Sequence, residues 1–442
     1  MNGPSFRVRV EPSILSIARD TWDACANGIP TGADDAKRLS GLKKSDSSPA
    51  TARKRAPRAK ASAKTGAKVS AKIEAAMPPA AYNPFISHDF LASLEESGCA
   101  TLRTGWLGRH FLVEDETGAV LAAMPAYLKN HSRGEYVFDQ GWAEAFEHAG
   151  GDYYPKLQAA VPFTPVTGPR LLVREGPSAE AARQALVAGA LEIVKRDQAS
   201  SLHITFPNES DWRYLTGLGF LARTDRQFHW FNEGYGNFEE FLGALSARKR
   251  KTIHRERRDA QADVEIIRLT GNDITEDAWD AFFAFYMDTG ARKWGSPYLN
   301  RSFFSIVSEK MRDRILLVMA KAGGRYIAGA LNFIGGDTLF GRYWGAIEHR
   351  PFLHFEVCYY QAIEFAIERG LKVVEAGAQG AHKLARGYRP VPTYSAHYIA
   401  NASFRRAVAD YLERERQYVE AESDELSMMT PFRRDNREEA DF

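Results

Sequence analysis

The sequence predicts an α/β (α+β) fold: two domains in tandem, each a mixed β-sheet flanked by helices. Three observations predict it. A chain of 442 residues is too long for one ordinary hydrophobic core, which favours two domains with extensions. Strand and helix patterns alternate, with hairpins among them, over residues 82–225. The same plan then repeats over 226–405. A hydrophobic content of 44% and an aromatic content of 12% suit packed cores.

Composition narrows the class. Cys25, Cys99 and Cys358 are far apart and odd in number. That argues against a disulfide framework or a C-x-x-C metal site and fits a reducing compartment. The N-terminus MNGPSFRVRVEPS lacks the apolar stretch of a signal peptide. No apolar run approaches the ~20 residues that span a bilayer. A cytoplasmic protein without a transmembrane segment or a metal is expected, and its oligomeric state is not legible. The net charge of +2 hides an asymmetry. Residues 37–72 hold 12 Lys/Arg and one acid, Asp46, leaving 46 basic and 55 acidic residues elsewhere. Basic character is therefore local, and the chain as a whole does not read as a nucleic-acid binder.

Residues 1–33 begin the first domain, with a strand pattern at 6–10 and a helix at 13–28 around Ile14, Ile17, Ala18 and Trp22. Residues 34–81 are mostly Ala, Lys, Arg, Ser, Thr and Pro. They cannot bury enough surface to offset their ordering entropy, so a disordered basic insertion is expected. It has no aromatic residues to stack on bases. Ser87 caps a helix carrying Phe90, Leu91 and Leu94. Strands at 109–113 and 120–127 flank a turn at Thr117-Gly118. Residues 134–173, dense in aromatics, Gly and Pro, read as a long ordered loop lining a cleft. A helix at 178–196 follows, N-capped by Ser178, with Ala182, Leu186, Val187, Ala190, Ile193 and Val194 as its stripe. Strands at 201–206 and 227–231 enclose a short helix at 211–216. The first domain ends near 225.

In the second half, Asn237 and Glu240 form a capping-box start for a helix bearing Phe238, Phe241, Leu242 and Leu245. Residues 248–258 set seven Lys/Arg and His254 against one acid, Glu256. Arg248, Lys249, Lys251 and Arg255 read as a phosphate grip, or else as a solvated helix face. A strand at 264–269 leads to a helix at 277–290 with Trp279, Phe282, Phe283, Phe285 and Tyr286 inward. The next loop offers Arg292, Lys293, Trp294 and Tyr298. A helix at 302–312 and a strand at 315–321 come next. Strands 326–334 and 338–346 form a hairpin, with Arg342 and Trp344 on one face and Tyr343 on the other. The helix at 355–369 starts near His354 and Glu356, where free N–H groups and the helix dipole suit an anion or oxyanion. After a strand at 372–376, Gly377-Ala-Gln-Gly380 lets backbone approach a ligand closely. Residues 406–442 are a C-terminal helix and acidic tail.

Six stretches carry a resemblance: EAGAQGAHKLARGY (375–388), FGRYWGA (340–346), FLHFEVCYYQAIE (352–364), ARKWGSPYL (291–299), LSARKRKTIHRER (245–257) and VPFTPVTGPRLL (161–172). Together they resemble a bacterial family of N-acyltransferases, also described as peptidoglycan biosynthesis/recognition proteins. That family belongs to the GNAT superfamily and is related to the Fem-type aminoacyl-tRNA-dependent transferases. The resemblance covers nearly all of the chain from 82 on and the first ~30 residues. The 34–81 insertion departs from the pattern. The resemblance implies two tandem GNAT-like domains, 1–33 with 82–225 and then a catalytic 226–405. It implies transfer of an acyl or aminoacyl group to an amine, with a cell-wall precursor or another small molecule as acceptor. The donor is acyl-CoA or aminoacyl-tRNA, and the latter makes tRNA a partner. The usual GNAT phosphate loop, Q/R-x-x-G-x-G/A, is absent as such, which keeps aminoacyl-tRNA open.

Acyl transfer to an amine needs a held donor, a stabilised oxyanion and a base. Lys383 resembles the Fem-type lysine that follows the last core strand and stabilises the intermediate. Glu375 and Glu356 are the candidate bases, and His354 a proton shuttle. Arg292, Lys293, Trp294, Tyr298, Arg342, Trp344, Gln379 and His382 are the substrate-binding candidates. The alternative is a non-catalytic GNAT-fold protein that binds a peptidoglycan precursor or another anionic ligand. It needs no carboxylate within reach of Lys383.

Overall fold

Fifteen strands, numbered in chain order, build the framework among the described residues. These are β1 (Arg7–Glu11), β2 (Trp106–Gly108), β3 (His110–Glu114), β4 (Val120–Met124), β5 (Ala126–Lys129), β6 (Lys156–Ala159), β7 (Leu172–Val173), β8 (Ser201–Thr205), β9 (Leu221–Phe231), β10 (Glu265–Thr270), β11 (Ile315–Ala322), β12 (Arg325–Ile334), β13 (Thr338–Ala346), β14 (Val373–Glu375) and β15 (Arg389–Ile399). The computed structural model describes residues 5–28, 82–293, 297–377 and 380–433, with the backbone alone at 291–293 and 381. The insertion expected at 34–81 and the end of the acidic tail lie outside these residues.

Strands β1, β3, β4 and β7 form a four-stranded antiparallel sheet. The other eleven form one mixed sheet in the order β10-β11-β12-β13-β14-β9-β15-β8-β6-β5-β2. Its two halves repeat. β12 and β13 are antiparallel, β13 and β14 parallel, β14 and β9 antiparallel. In the same way β5 and β6 are antiparallel, β6 and β8 parallel, β8 and β15 antiparallel. The halves exchange their last strands: β9 comes from the first half and closes the second, and β15 does the reverse. β9 and β15 then pair with each other, so the sheet runs unbroken through both halves. The α/β fold of two repeated halves holds, but the boundary expected at 225–226 falls inside β9.

A parallel step needs a crossover. The helix Ala179–Arg196 supplies one, burying its expected stripe on Leu157, Leu202, Ile204 and Ala396. Ser178, however, makes no side-chain cap bond. The helix at 353–368 supplies the other. It runs as Leu353–Phe355, a π-helical turn Glu356–Tyr360, then Gln361–Glu368, and packs Val357, Ile363 and Ala366 on Trp230, Leu339 and Val374. Both crossover helices cover the same face. On β9, Phe228 and Trp230 share parity with Ala222, which pairs with Ala396. Opposite parity points away from those helices. It carries Lys156 and Gln158 on β6, His203 and Thr205 on β8, Ser395 and His397 on β15, Gln227 on β9 and Glu375 on β14, all buried. That stripe of buried polar groups is costly unless paired, and it leads to the candidate site.

The far end of this second face is apolar. Phe85 and Phe90 pack with Phe303, Trp279 and Phe282 onto Leu331, Phe333 and Phe340. The helix Glu276–Lys293 lies so close to β13 that a Cβ on Gly345 would meet the Phe285 carbonyl oxygen at 2.2 Å. Ser87 caps the helix His88–Glu96. Asn237 accepts from the Glu240 N–H at 2.9 Å, and the Glu240 carboxylate returns to Gly236 N at 2.8 Å. The expected loop at 134–173 is in part regular: it contains the helix Gln140–His148 and strand β6. All four residues of β6 are buried, including Lys156 and Gln158, so its alternation of polar and apolar residues gave no surface signal. A basic helix Ala247–Ala260 and a C-terminal helix Ala402–Met428 match expectation. No helix among the described residues is long and apolar enough to cross a membrane.

Candidate functional site

β13 and β14 pair over only three residues, Thr338–Phe340 with Val373–Glu375, and then part. Ligands of open α/β sheets bind beyond the carboxyl ends of strands, and here four reactive side chains gather at that end. Glu375 closes β14. Arg342 sits at a β-bulge on β13, His229 lies on the neighbouring β9, and Lys383 comes from the short turn of helix Ala381–Arg386.

The bulge corrects an expectation. Tyr343 pairs with Leu331 and Gly341 with Asn332, so Arg342 is the extra residue. Arg342 and Tyr343 therefore share a face. The guanidinium lies over the rings of Phe85 (4.8 Å) and Phe340 (5.2 Å), while the Tyr343 hydroxyl donates to Phe163 O at 2.8 Å. Trp344 turns the other way, 5.0 Å from the His354 ring. Arg342 Nη2 donates to Glu375 Oε1 at 2.5 Å and Nη1 to Gly341 O at 2.9 Å, with both side chains buried. Arg342 is thus a clamp on Glu375, not the open anion binder expected of it.

The other oxygen, Glu375 Oε2, lies 3.9 Å from His229 Nε2. The Gln227 oxygen approaches the same nitrogen at 3.5 Å, and the Gln227 amide donates to Pro165 O at 2.5 Å. Burial pushes His229 below the ordinary imidazole pKa; Glu375 works against this, and Arg342 and Lys383 work with it. The sequence reading missed His229, which stood in an unremarkable strand pattern. Only the pairing of β9 with β14 sets it opposite Glu375.

Lys383 is 3% exposed. Its Nζ donates to Ala376 O at 2.5 Å and Gly377 O at 3.0 Å, and lies 5.6 Å from the Phe228 ring centre. It therefore reaches the end of β14 from the helix-covered face, whereas His229 reaches it from the other. Burial lowers its pKa to about 8, a nearby Cys358 opposing. His354 and His382 belong to an aromatic group with Trp344, Phe355 and Tyr359, in which Tyr359 Oη and His382 Nε2 are 3.0 Å apart.

Glu356 is not available as a base. It is fully buried, and Arg257 reaches both its oxygens at 3.1 Å, with Gln261 at 2.8 Å and Gln361 at 2.6 Å. The sequence showed a carboxylate near a helix start but not that Arg257 of the basic helix faces it. Glu256 is turned inward too, bonded to Arg386 at 2.8 Å and to the Tyr360 hydroxyl. Glu356→Ala should cost about 1–3 kcal/mol of stability, because it leaves the buried Gln361 amide and one side of Arg257 unsatisfied while Glu364 still pairs with Arg257 at 2.8 Å; urea denaturation measures this. On the outer part of the same helix, Arg248, Lys249, Arg250, Lys251 and Arg255 meet no acidic partner among the described residues. Arg248, Lys251 and Arg255 are exposed.

Tyr298 is 37% exposed, and its ring stacks on Phe163 at 5.1 Å. The 132–170 segment of the first half thus lies against the second. Trp294, Gln379 and the side chains of Arg292 and Lys293 are outside the described residues. Two open grooves of about 470 and 490 Å³ flank β1 on the small sheet. Of their arginines, Arg9 pairs with Glu114, Arg109 and Arg196 pair with Asp197, and Arg174 donates to Val120 O, so chemistry rather than concavity locates the candidate site. No group of three or more metal-ligating side chains occurs among the described residues.

A FemAB-like family model, described as peptidoglycan biosynthesis/recognition, matches residues 67–434. No curated protein matches the sequence. Among solved structures the chain is similar to FemX, with 14% identity and a TM-score of 0.46 over 71% of this chain and 93% of that one. It is similar to L-PGS from Bacillus licheniformis, with 10% identity and a TM-score of 0.45 over 73% and 95%. It is also similar to a tandem GNAT protein from the clavulanic acid biosynthesis pathway, with 13% identity and a TM-score of 0.39 over 67% and 84%.

Proposed function

We propose, from the premise that this chain belongs to the FemAB-like family of peptidoglycan biosynthesis and recognition, that it is an N-acyltransferase. It would move an acyl or aminoacyl group onto the amine of a cell-wall precursor. One observation carries the reading: a buried lysine amine and a histidine–carboxylate pair flank the open end of β14 from opposite faces. An ammonium held by two backbone carbonyls is preorganised to meet an oxyanion, in a site from which water is largely excluded. The donor we favour is aminoacyl-tRNA. Five cations of the Ala247–Ala260 helix have no acidic partner among the described residues, which suits a polyphosphate, and the usual acyl-CoA phosphate loop is missing from the sequence. Such a reaction would take place in the cytoplasm.

The test compares acetyl-CoA with alanyl-tRNA in thermal unfolding, then follows label from the bound donor to the free amine of a UDP-linked muropeptide. A donor at 100 times its dissociation constant should stabilise by about 2.7 kcal/mol. Stabilisation by alanyl-tRNA with label in the muropeptide is the expected result. A shift from the muropeptide alone, with no transfer from either donor, would instead identify a precursor-binding protein.

A further inference from the structure

The two halves of the large sheet place a histidine at one and the same register. β9 and β15 pair antiparallel, from Leu221 opposite His397 to His229 opposite Arg389. A two-fold rotation about the middle of this pair exchanges the strands and carries His229 onto His397. It also exchanges their outer neighbours: Glu375 of β14 pairs with His229, and His203 of β8 pairs with His397. One step further out, Phe340 stands beside Glu375 and Gln158 beside His203. The fold therefore contains two equivalent cross-strand pairs, His229–Glu375 and His397–His203.

Their surroundings differ. In the first half the pair is sealed. His203 and His397 touch through their Nδ1 atoms at 2.7 Å and are fully buried under Trp142. Ser201 and Tyr153 reach His203 Nε2, and Ser395 reaches His397 Nε2. No ring nitrogen is left over there. In the second half, the His229 side chain keeps 13% of its surface exposed, at the mouth where β13 and β14 part. Its neighbours are fixed from every side: Glu375 by Arg342, Gln227 by Pro165 O, and Lys383 by two carbonyls. Glu375 and Lys383 are buried, and Glu356 is locked to Arg257. His229 is the group in this cluster that can be neutral near pH 7 and still meet a ligand.

We propose that His229 is the base that deprotonates the acceptor, with Glu375 and Gln227 as its positioning residues; this rests on the transferase reading above. The acceptor ammonium gives one proton to the imidazole. The freed amine forms a C–N bond to the acyl carbonyl carbon, and the C–O bond of an ester donor, or the C–S bond of a thioester, breaks. The second nitrogen proton leaves with the donor oxygen or sulfur. Burial and the nearby Arg342 and Lys383 keep the ring neutral to lower pH than an ordinary histidine, which suits a base working near pH 7.

The experiment uses the full chain with alanyl-tRNA and acetyl-CoA as donors and a UDP-linked muropeptide as acceptor. It compares His229→Gln with His397→Gln. His229→Gln should lower kcat by about 10²-fold, leave the KM for the donor near native, abolish the acid limb of the kcat/KM profile and melt like the native chain. His397→Gln should keep native kcat and pH profile and melt lower. Native kcat and acid limb in His229→Gln would overturn the assignment while leaving the transferase reading standing. No transfer by the native chain from either donor would overturn both. Should His229→Gln fail to fold, the native profile decides. An acid limb below the ~6.5 of free imidazole supports His229, and a flat profile from pH 5 to 8 removes it.

Discussion

Lys383→Gln is expected to slow transfer by about 10²–10³-fold, the usual cost of removing one preorganised oxyanion donor. Glutamine keeps an amide NH2, with two N–H donors, for the carbonyls of Ala376 and Gly377, which Lys383 Nζ now satisfies. The thermal midpoint should therefore stay within a few degrees of native. A second signature separates chemistry from packing. Burial lowers the Lys383 pKa to about 8, against ~10.4 for a free lysine. The charged form that stabilises an oxyanion is thus present below pH 8 and lost as pH rises through it. The native chain should show an alkaline limb near 8, and Lys383→Gln should lack it. For stability the sign is opposite. A lowered lysine pKa penalises the folded state below pH 8, and the penalty is relieved between 8 and ~10.4. Lys383→Gln should therefore gain less stability than the native chain over that window. Steady-state rates and thermal melts from pH 6 to 10 test all of this. Unchanged kcat with the alkaline limb intact would remove Lys383 from the mechanism.

Much of the framework was legible because each half spells it locally. The stripe Ala182–Val194, the hairpin across Gly335-Gly336-Asp337 and the aromatic face of Trp279–Tyr286 each have the period of their element. What could not be read is long-range pairing. Nothing near residue 229 says that its strand lies between β14 and β15 with His229 opposite Glu375. Nothing near 342 says that a bulge reverses the expected facing of Tyr343 and Trp344. Glu356 shows the same limit from the other side. A carboxylate at a helix start looks available until Arg257, 99 residues away in sequence, reaches both its oxygens. Lys383 is different: the segment before it ends a strand with Glu375 and turns through glycines, so its place at the strand end follows from local sequence.

Lys156→Met should cost about 3–5 kcal/mol, a large share of the 5–15 kcal/mol that stabilises an ordinary domain. Lys156 is fully buried at the start of β6. Its Nζ donates to Ser132 Oγ at 2.7 Å, Glu135 Oε2 at 2.7 Å and Asp139 Oδ2 at 2.5 Å. Methionine fills the volume but leaves buried Asp139 with the Tyr153 hydroxyl and Glu135 with the more distant ammonium of Lys129, 3.8 Å away. Burial alone would raise the Asp139 pKa; Lys156 and His203 more than offset it and hold it well below the usual carboxylate range. A depressed carboxylate pKa contributes stability that is present above the unfolded value of ~3.9 and lost as pH falls through the folded one. The deficit of Lys156→Met should therefore be largest near neutral pH and shrink below pH 4. Adding Asp139→Asn should recover part of it, since removing both charges of a buried pair costs less than removing one. The effect should also reach the candidate site. Ser132, Glu135 and Asp139 bracket Tyr136, whose φ of +61° is a strained left-handed conformation that persists only where its surroundings impose it. Tyr136 is 36% exposed, and Tyr286, Tyr298 and Arg342 lie close enough to act on its hydroxyl. Releasing the anchor should free this segment, seen as faster amide exchange over 132–139 in the folded variant. A native exchange rate there, with native stability at pH 7, would mean that Lys156 holds nothing in place.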